Sequence, residues 1–208
     1  MSIETWLAFV AAAAVLVAIP GPTITLVVAY ALSRGAAAAR WTIAGVLLGD
    51  LTAMTASLLG VGALLAASAT AFMVVKWLGV LYLLWLGVAL WRAPVAPLET
   101  AIDTPLRGPR VMAHTFAVTA LNPKGIVFFV AFLPQFVTPS SAVVPQLVLL
   151  GATFLALAGL NCLIYALLAG RLRRRLRSPQ ALRWMNRLGG SVLIGAGLLA
   201  ASLRRAGG

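Results

Sequence analysis

Charges are missing from long stretches of this chain. Glu4 and Arg34 are separated by 29 uncharged residues and Lys124 and Arg171 by 46, while Asp50 is the only charge between Arg40 and Lys76. A helix that crosses a bilayer needs about 20 mostly apolar residues. The first run therefore suffices for one crossing, and the second for two, one on each side of the Pro134–Pro145 stretch. Shorter uncharged runs at 77–91 and 188–203 reach crossing length once their flanks are added. Of the 208 residues, 62% are hydrophobic and 10% are Asp, Glu, Lys or Arg, against about 25% charged residues in a soluble domain. So few charges cannot cover a soluble surface. The composition excludes a soluble globular domain, a disordered chain and a fibrous repeat, and leaves a polytopic membrane protein.

The net charge of +12 does not imply nucleic acid, because the basic residues lie between apolar runs and decorate no foldable polar domain. Cys162 and His114 each stand alone, so no zinc-ligand spacing exists, and one cysteine allows no intramolecular disulfide. No residue set calls for a metal or another cofactor. The N-terminus carries Glu4 and no Lys or Arg before the first apolar run. That is unlike a signal peptide, and the run is expected to stay in the mature protein.

Six helices are predicted, over 5–32, 42–67, 70–92, 112–137, 143–170 and 184–203. Trp6, Trp41, Trp91 and Trp184 lie near their ends, where indole suits the membrane interface. The segment 93–111, with Pro94, Pro97, Pro105, Pro109, Glu99 and Asp103, is the one substantial loop. It divides the chain into a first three-helix unit (1–92), a linker (93–111) and a second three-helix unit (112–208). Lys and Arg are concentrated in the odd loops: Arg34 and Arg40; Arg92, Arg107 and Arg110; then Arg171, Arg173, Arg174, Arg175, Arg177, Arg183 and Arg187. The other side has at most Lys76, Arg204 and Arg205. Twelve against three puts the odd loops, linker included, in the cytoplasm and both termini outside. The Arg171–Arg177 run then reads as a topology anchor beside anionic lipid headgroups.

Three helices per unit make the second unit enter the membrane from the opposite side. The expected fold is all-α, with six transmembrane helices as a 3+3 inverted repeat. Leu78, Gly79, Leu83 and Gly87 match Leu188, Gly189, Leu193 and Gly197 at an offset of 110. More telling, the first and fourth helices are both broken, by Pro20-Gly21-Pro22 and by Asn122-Pro123-Lys124-Gly125. Proline lacks the N–H that would bond the previous turn. The carbonyls so freed cannot face lipid and must be buried in protein or line a wet cavity. Paired breaks in two half-repeats are the best sequence pointer to a transporter's binding site.

Asp50, Lys76 and Lys124 are the charges inside proposed spans. Each costs about 2.5–3.5 kcal/mol at mid-bilayer on insertion scales, which makes them functional candidates. Lys124 is near the middle of its helix, whereas Lys76 is close enough to an end to reach an interface. Gly45, Gly49, Thr52, Ala56 and Gly60 form a small-residue stripe of the kind that lets helices approach closely. Asp50 lies at the edge of that stripe and is expected to face protein or a cavity. Asn161 and Tyr165, spaced i, i+4, read as packing or helix-bonding residues. Ser191 and His114 do not make a protease, since no second motif supports them.

In chain order these motifs are Pro20-Gly21-Pro22, Gly45 with Gly49-Asp50, Lys76-x-x-Gly79-x-x-Tyr82-Leu83, Asn122-Pro123-Lys124 and Leu133-Pro134-Gln135-Phe136. The set resembles the lysine exporter family, which includes threonine/homoserine and leucine efflux proteins, and the resemblance covers nearly the whole chain. It implies an exporter of amino acids in the bacterial inner membrane, driven by the proton gradient, homodimeric and not an enzyme. Some members of the wider superfamily export cadmium or other solutes. The candidate substrate site is Pro20, Gly21, Pro22 and Thr23 at the first break, Asp50, Lys76 and Tyr82, and Asn122, Pro123 and Lys124 at the second. Helix-end N–H groups and Lys124 suit a carboxylate, and Asp50 suits an ammonium. As the only acid in the proposed spans, Asp50 is also the candidate proton carrier. With no second acid for a basic side chain, neutral amino acids such as threonine, homoserine or leucine are favoured over lysine or arginine. A metal exporter would want more soft or carboxylate ligands at membrane depth. A scaffold would leave the paired breaks unexplained.

Overall fold

The computed structural model describes residues 1–34, 39–67, 69–93, 107–138, 141–176 and 179–202. All regular structure among them is helical. The first predicted helix is a bent pair, α1 (Ile3–Ala18) and α2 (Pro22–Arg34), with a 56° turn between them. α3 (Ala39–Ala67) and α4 (Ala69–Arg92) follow. The fourth predicted helix is a second bent pair, α5 (Gly108–Ala120) and α6 (Pro123–Val127), with a 47° turn. α6 runs on through a π-helical turn at Phe128–Phe132 into a 3-10 turn at Leu133–Phe136. α7 (Val143–Leu176) and α8 (Pro179–Ser202) complete the chain. Among the described residues, Ala39–Gly60 and Val143–Ala169 are each long and apolar enough to cross a membrane, and each bent pair adds one candidate.

Three predicted ends move. α7 does not stop at residue 170 but continues through Arg171, Arg173, Arg174 and Arg175. Arginine is a good helix former, so a basic run that marks a topological boundary need not end a helix. α8 begins before residue 184, so Arg183 lies inside it together with Arg187, although the charge count groups both with the fifth loop. α5 likewise begins at Gly108, with Pro109 in its first turn, where a missing N–H costs no helical bond. Most of the linker, residues 94–106 with Glu99 and Asp103, lies outside the described residues, as do Arg177 and the side chains of the Arg171–Arg175 run.

Two tight helix seams organise the packing. α3 lies along α5, where Gly45 and Gly49 face that helix. A methyl at Gly49 would stand 2.8 Å from the Phe116 carbonyl and from Thr119 Cβ, and one at Gly45 would run into Thr115 and Met112. The predicted small-residue stripe works only there. Among the described residues a methyl at Gly60 would meet nothing, Thr52 is exposed, and its hydroxyl bonds back to the Leu48 carbonyl at 2.8 Å. α4 lies along α8, with a methyl at Gly87 only 2.7 Å from the Gly190 carbonyl. α7 packs on α1, α2 and α3. The core is aromatic: Phe9, Phe128, Phe129, Phe132, Phe136 and Phe154 are all buried against one another. Leu59, Leu121, Val144 and Leu167 stand exposed on the outer surface, which is the arrangement a hydrocarbon solvent permits.

Candidate functional site

The break in the first bent pair can be followed bond by bond. In an α-helix the carbonyl of residue i accepts from the N–H of residue i+4. Ile19 N still donates to the Val15 carbonyl, at 3.2 Å. Leu16 and Ala18 would need donors from Pro20 and Pro22, which have none, and the partners of Val17 and Ile19, Gly21 and Thr23, lie in the bend and beyond it. All four carbonyls are met by side chains from the other half of the sequence. Asn161 Nδ2 donates to Val17 O at 2.8 Å and Tyr165 Oη to Ala18 O at 2.8 Å. Lys124 Nζ donates to Leu16 O at 3.1 Å and to Ile19 O at 2.9 Å. The i, i+4 spacing of Asn161 and Tyr165 puts both donors on the same face of α7, as the helix-bonding reading of that pair anticipated.

The second break is closed largely within itself. Asn122 caps α6, its Oδ1 accepting from Lys124 N at 3.1 Å, while Asn122 N donates to Thr119 O at 3.0 Å. Pro123 takes the first helical position, where its missing N–H leaves nothing unpaired. The two breaks touch. Asn122 Nδ2 donates to Thr23 Oγ1 at 3.2 Å, and Thr23 Oγ1 and Thr119 Oγ1 share a hydrogen bond at 3.3 Å. Thr119 was not singled out from the sequence; its place three residues before Asn122 was the available signal.

Where the breaks meet α3 and α7, a small cavity of about 40 Å³ is lined by Thr23, Asp50, Asn122, Lys124, Asn161 and Cys162, with apolar walls from Leu16, Ile24, Val46 and Phe154. Asp50 is 8% exposed and its Oδ1 lies near Gly125. Among the described residues no hydrogen bond or ion pair reaches its carboxylate. The cavity thus holds an ammonium that uses two of its three N–H groups on backbone carbonyls, and a carboxylate with no protein donor. These groups can bind a small molecule carrying both charges.

The predicted residues do not all gather here. Thr23, Asp50, Asn122 and Lys124 line the cavity, and Pro20, Gly21, Pro22 and Pro123 build the two bends beside it. Tyr82 is not in the lining and stacks, half-buried, against Trp85 at 5.5 Å. The side chain of Lys76 lies outside the described residues. Ser191 accepts from Trp91 Nε1 at 2.9 Å, while His114 Nδ1 shares a hydrogen bond with Tyr30 Oη at 2.9 Å, so each is engaged in a different helix pair. Among the described residues no three His, Cys, Asp or Glu side chains cluster as metal ligands would.

Comparison with known proteins gives the family. The LysE type translocator family matches residues 14–203. The chain belongs to that family. It is a multi-pass membrane translocator and not an enzyme. It is 34% identical over 204 residues to an uncharacterized membrane protein of Vibrio cholerae serotype O1, covering 98% of this chain and 100% of that one. It is 33% identical over 207 residues to the homoserine/homoserine lactone efflux protein of Salmonella typhi, covering 99% and 100%. Identity to the leucine efflux protein of Enterobacter sp. (strain 638) is 28% over 198 residues, 94% of each chain. No solved structure gives a significant match.

Proposed function

We propose that this protein exports neutral amino acids across the bacterial inner membrane by proton antiport, through the cavity between its two broken helices. The observation that carries this reading is the pairing of Lys124 with an undonated Asp50 carboxylate in one cavity. A zwitterion presents the complementary pair of charges. The names of the relatives support the class: homoserine, homoserine lactone and leucine all carry an α-ammonium and no basic side chain. A single acid in the cavity accounts for one ammonium and leaves none for a lysine or arginine side chain. Asp50 carries the returning proton, because its protonation weakens its hold on the substrate ammonium.

In this reading each bent pair, α3, α4, α7 and α8 crosses the membrane, giving six spans in a 3+3 inverted repeat. The exchange of partners between halves supports it: α1–α2 lie on α7, α5–α6 lie on α3, and α4 lies on α8. The basic run Arg171–Arg177 faces the cytoplasm beside anionic lipids, and the protein acts as a homodimer. The deciding experiment loads cells expressing the chain with labelled homoserine, leucine, threonine, lysine or arginine and follows efflux. Faster loss of a neutral amino acid than in vector controls, abolished by collapsing the proton gradient, is the expected result. Loss of only lysine and arginine, or of none of the five, overturns the proposal.

A further inference from the structure

The four carbonyls at the end of α1 are not held alike. Val17 and Ala18 are bonded by neutral side chains of α7, Asn161 and Tyr165, whose donors are fixed by that helix. Leu16 and Ile19 are bonded by one long, flexible, charged side chain, Lys124, which also lines the cavity. Among the four, these two carbonyls have a donor that can leave.

Resting on the exporter reading above, we infer that the Leu16–Ile19 carbonyl pair, together with Asp50, is a primary-ammonium site. Lys124 fills it when no substrate is present, and the ammonium of the transported solute takes its place. The end of a helix carries partial negative charge, and the C-terminal ends of broken helices hold cations in other transporter folds. The present occupant defines the chemistry. It is an –NH3+ group giving two hydrogen bonds of 3.1 and 2.9 Å. A divalent metal ion asks for about six oxygen ligands, more than two carbonyls and one carboxylate supply.

The exchange explains how a buried lysine serves transport. Leaving Leu16 O and Ile19 O bare inside the protein is costly, so the empty carrier keeps Lys124 on them. An arriving ammonium replaces those bonds one for one. The released Lys124 remains in the cavity with all its N–H groups available to the carboxylate of the same solute. No carbonyl is stripped in either state, and both ends of a zwitterion are met in one step.

The test uses the full-length chain in detergent and propylammonium chloride as probe. Lys124→Met removes the tethered ammonium and lowers the melting temperature. Propylammonium should recover most of that drop and shift the wild type less, whereas tetramethylammonium, which has no N–H, and sodium at equal ionic strength should not. An equal response to all three salts, or none, overturns the inference, and recovery by sodium alone makes the site one for inorganic cations and overturns it too. Should Lys124→Met fail to fold, the wild type carries a second measurement, because Lys76 and Lys124 are its only lysines. In ζ-15N-lysine protein, with Lys76→Arg to assign the signals, the Lys124 resonance should move with propylammonium and stay fixed with tetramethylammonium. A signal that ignores propylammonium rejects the site. Recovery by propylammonium in a chain that exports no amino acid would uphold the site and remove the exporter reading. Export without recovery or shift removes the site alone.

Discussion

The two helix breaks look alike in the sequence and are maintained in different ways. The second closes on local groups: Asn122 caps the helix it precedes, and Pro123 occupies a position that needs no N–H. The first leaves four carbonyls open and borrows every donor from residues more than a hundred positions away. A locally closed break can be built before the rest of the protein folds. The borrowed one exists only once α6 and α7 have docked. The difference also locates function, since a bend satisfied by exchangeable partners can respond to a ligand.

The largest effect should come from Lys124→Met, which removes two of the four borrowed bonds and the cation of the cavity. Stranding a buried carbonyl costs about 1–3 kcal/mol, so a marked loss of thermal stability and complete loss of export are expected, read by melting and by efflux. Normal export by this variant would remove Lys124 from the mechanism. Asp50→Asn comes next. It keeps the shape of the side chain, and among the described residues no hydrogen bond depends on it, so the fold should hold. In reconstituted vesicles the variant should lose accumulation driven by a pH difference while keeping slow substrate exchange at equal pH. Accumulation that persists would clear Asp50 of coupling.

Tyr165→Phe takes away one neutral donor, leaving Ala18 O without its partner. A destabilisation of about 1–3 kcal/mol by denaturant or thermal unfolding, with export reduced but still coupled to protons, would separate this residue from Lys124. Asn122→Ala should be the mildest. Loss of the cap costs about 1 kcal/mol, and the contact with Thr23 is lost as well. If Asn122→Ala proves more damaging than Tyr165→Phe, the second break is not the self-sufficient one, and the contrast drawn above fails.

Much of the architecture was legible in the sequence because it is written in charge spacing and proline. The helical segments and both bends fall where the uncharged runs and the Pro-Gly-Pro and Asn-Pro-Lys triplets put them. Asp50 faces a cavity, as the glycines beside it implied. Other features were not legible because they depend on which helix lies opposite. Gly45 and Gly60 look equivalent along α3, yet among the described residues only Gly45 meets a neighbour. Tyr82 shares a motif with Lys76 but stacks on Trp85 away from the cavity. The arginines after residue 170 read as a loop because charge marks the membrane edge, whereas helix propensity carried α7 on to Leu176. That Asn161 and Tyr165 would reach α1 in particular could not be read from their spacing, which states that they share a face and not what that face touches.

The glycine contacts have a mechanical corollary. A seam that has no room for a methyl group cannot slide, because a displacement of one residue would drive a side chain into a backbone. With Gly49 against Phe116 and Thr119, and Gly87 against Gly190, α3 with α5 and α4 with α8 behave as two welded struts. Any stroke that exposes the cavity to one side and then the other must be taken up at joints without such welds. Those are the turn at Leu121–Asn122 and the face that α1 and α2 share with α7, since the bend at Ile19 is itself held where a methyl at Gly189 would stand 2.8 Å from the Ile19 side chain.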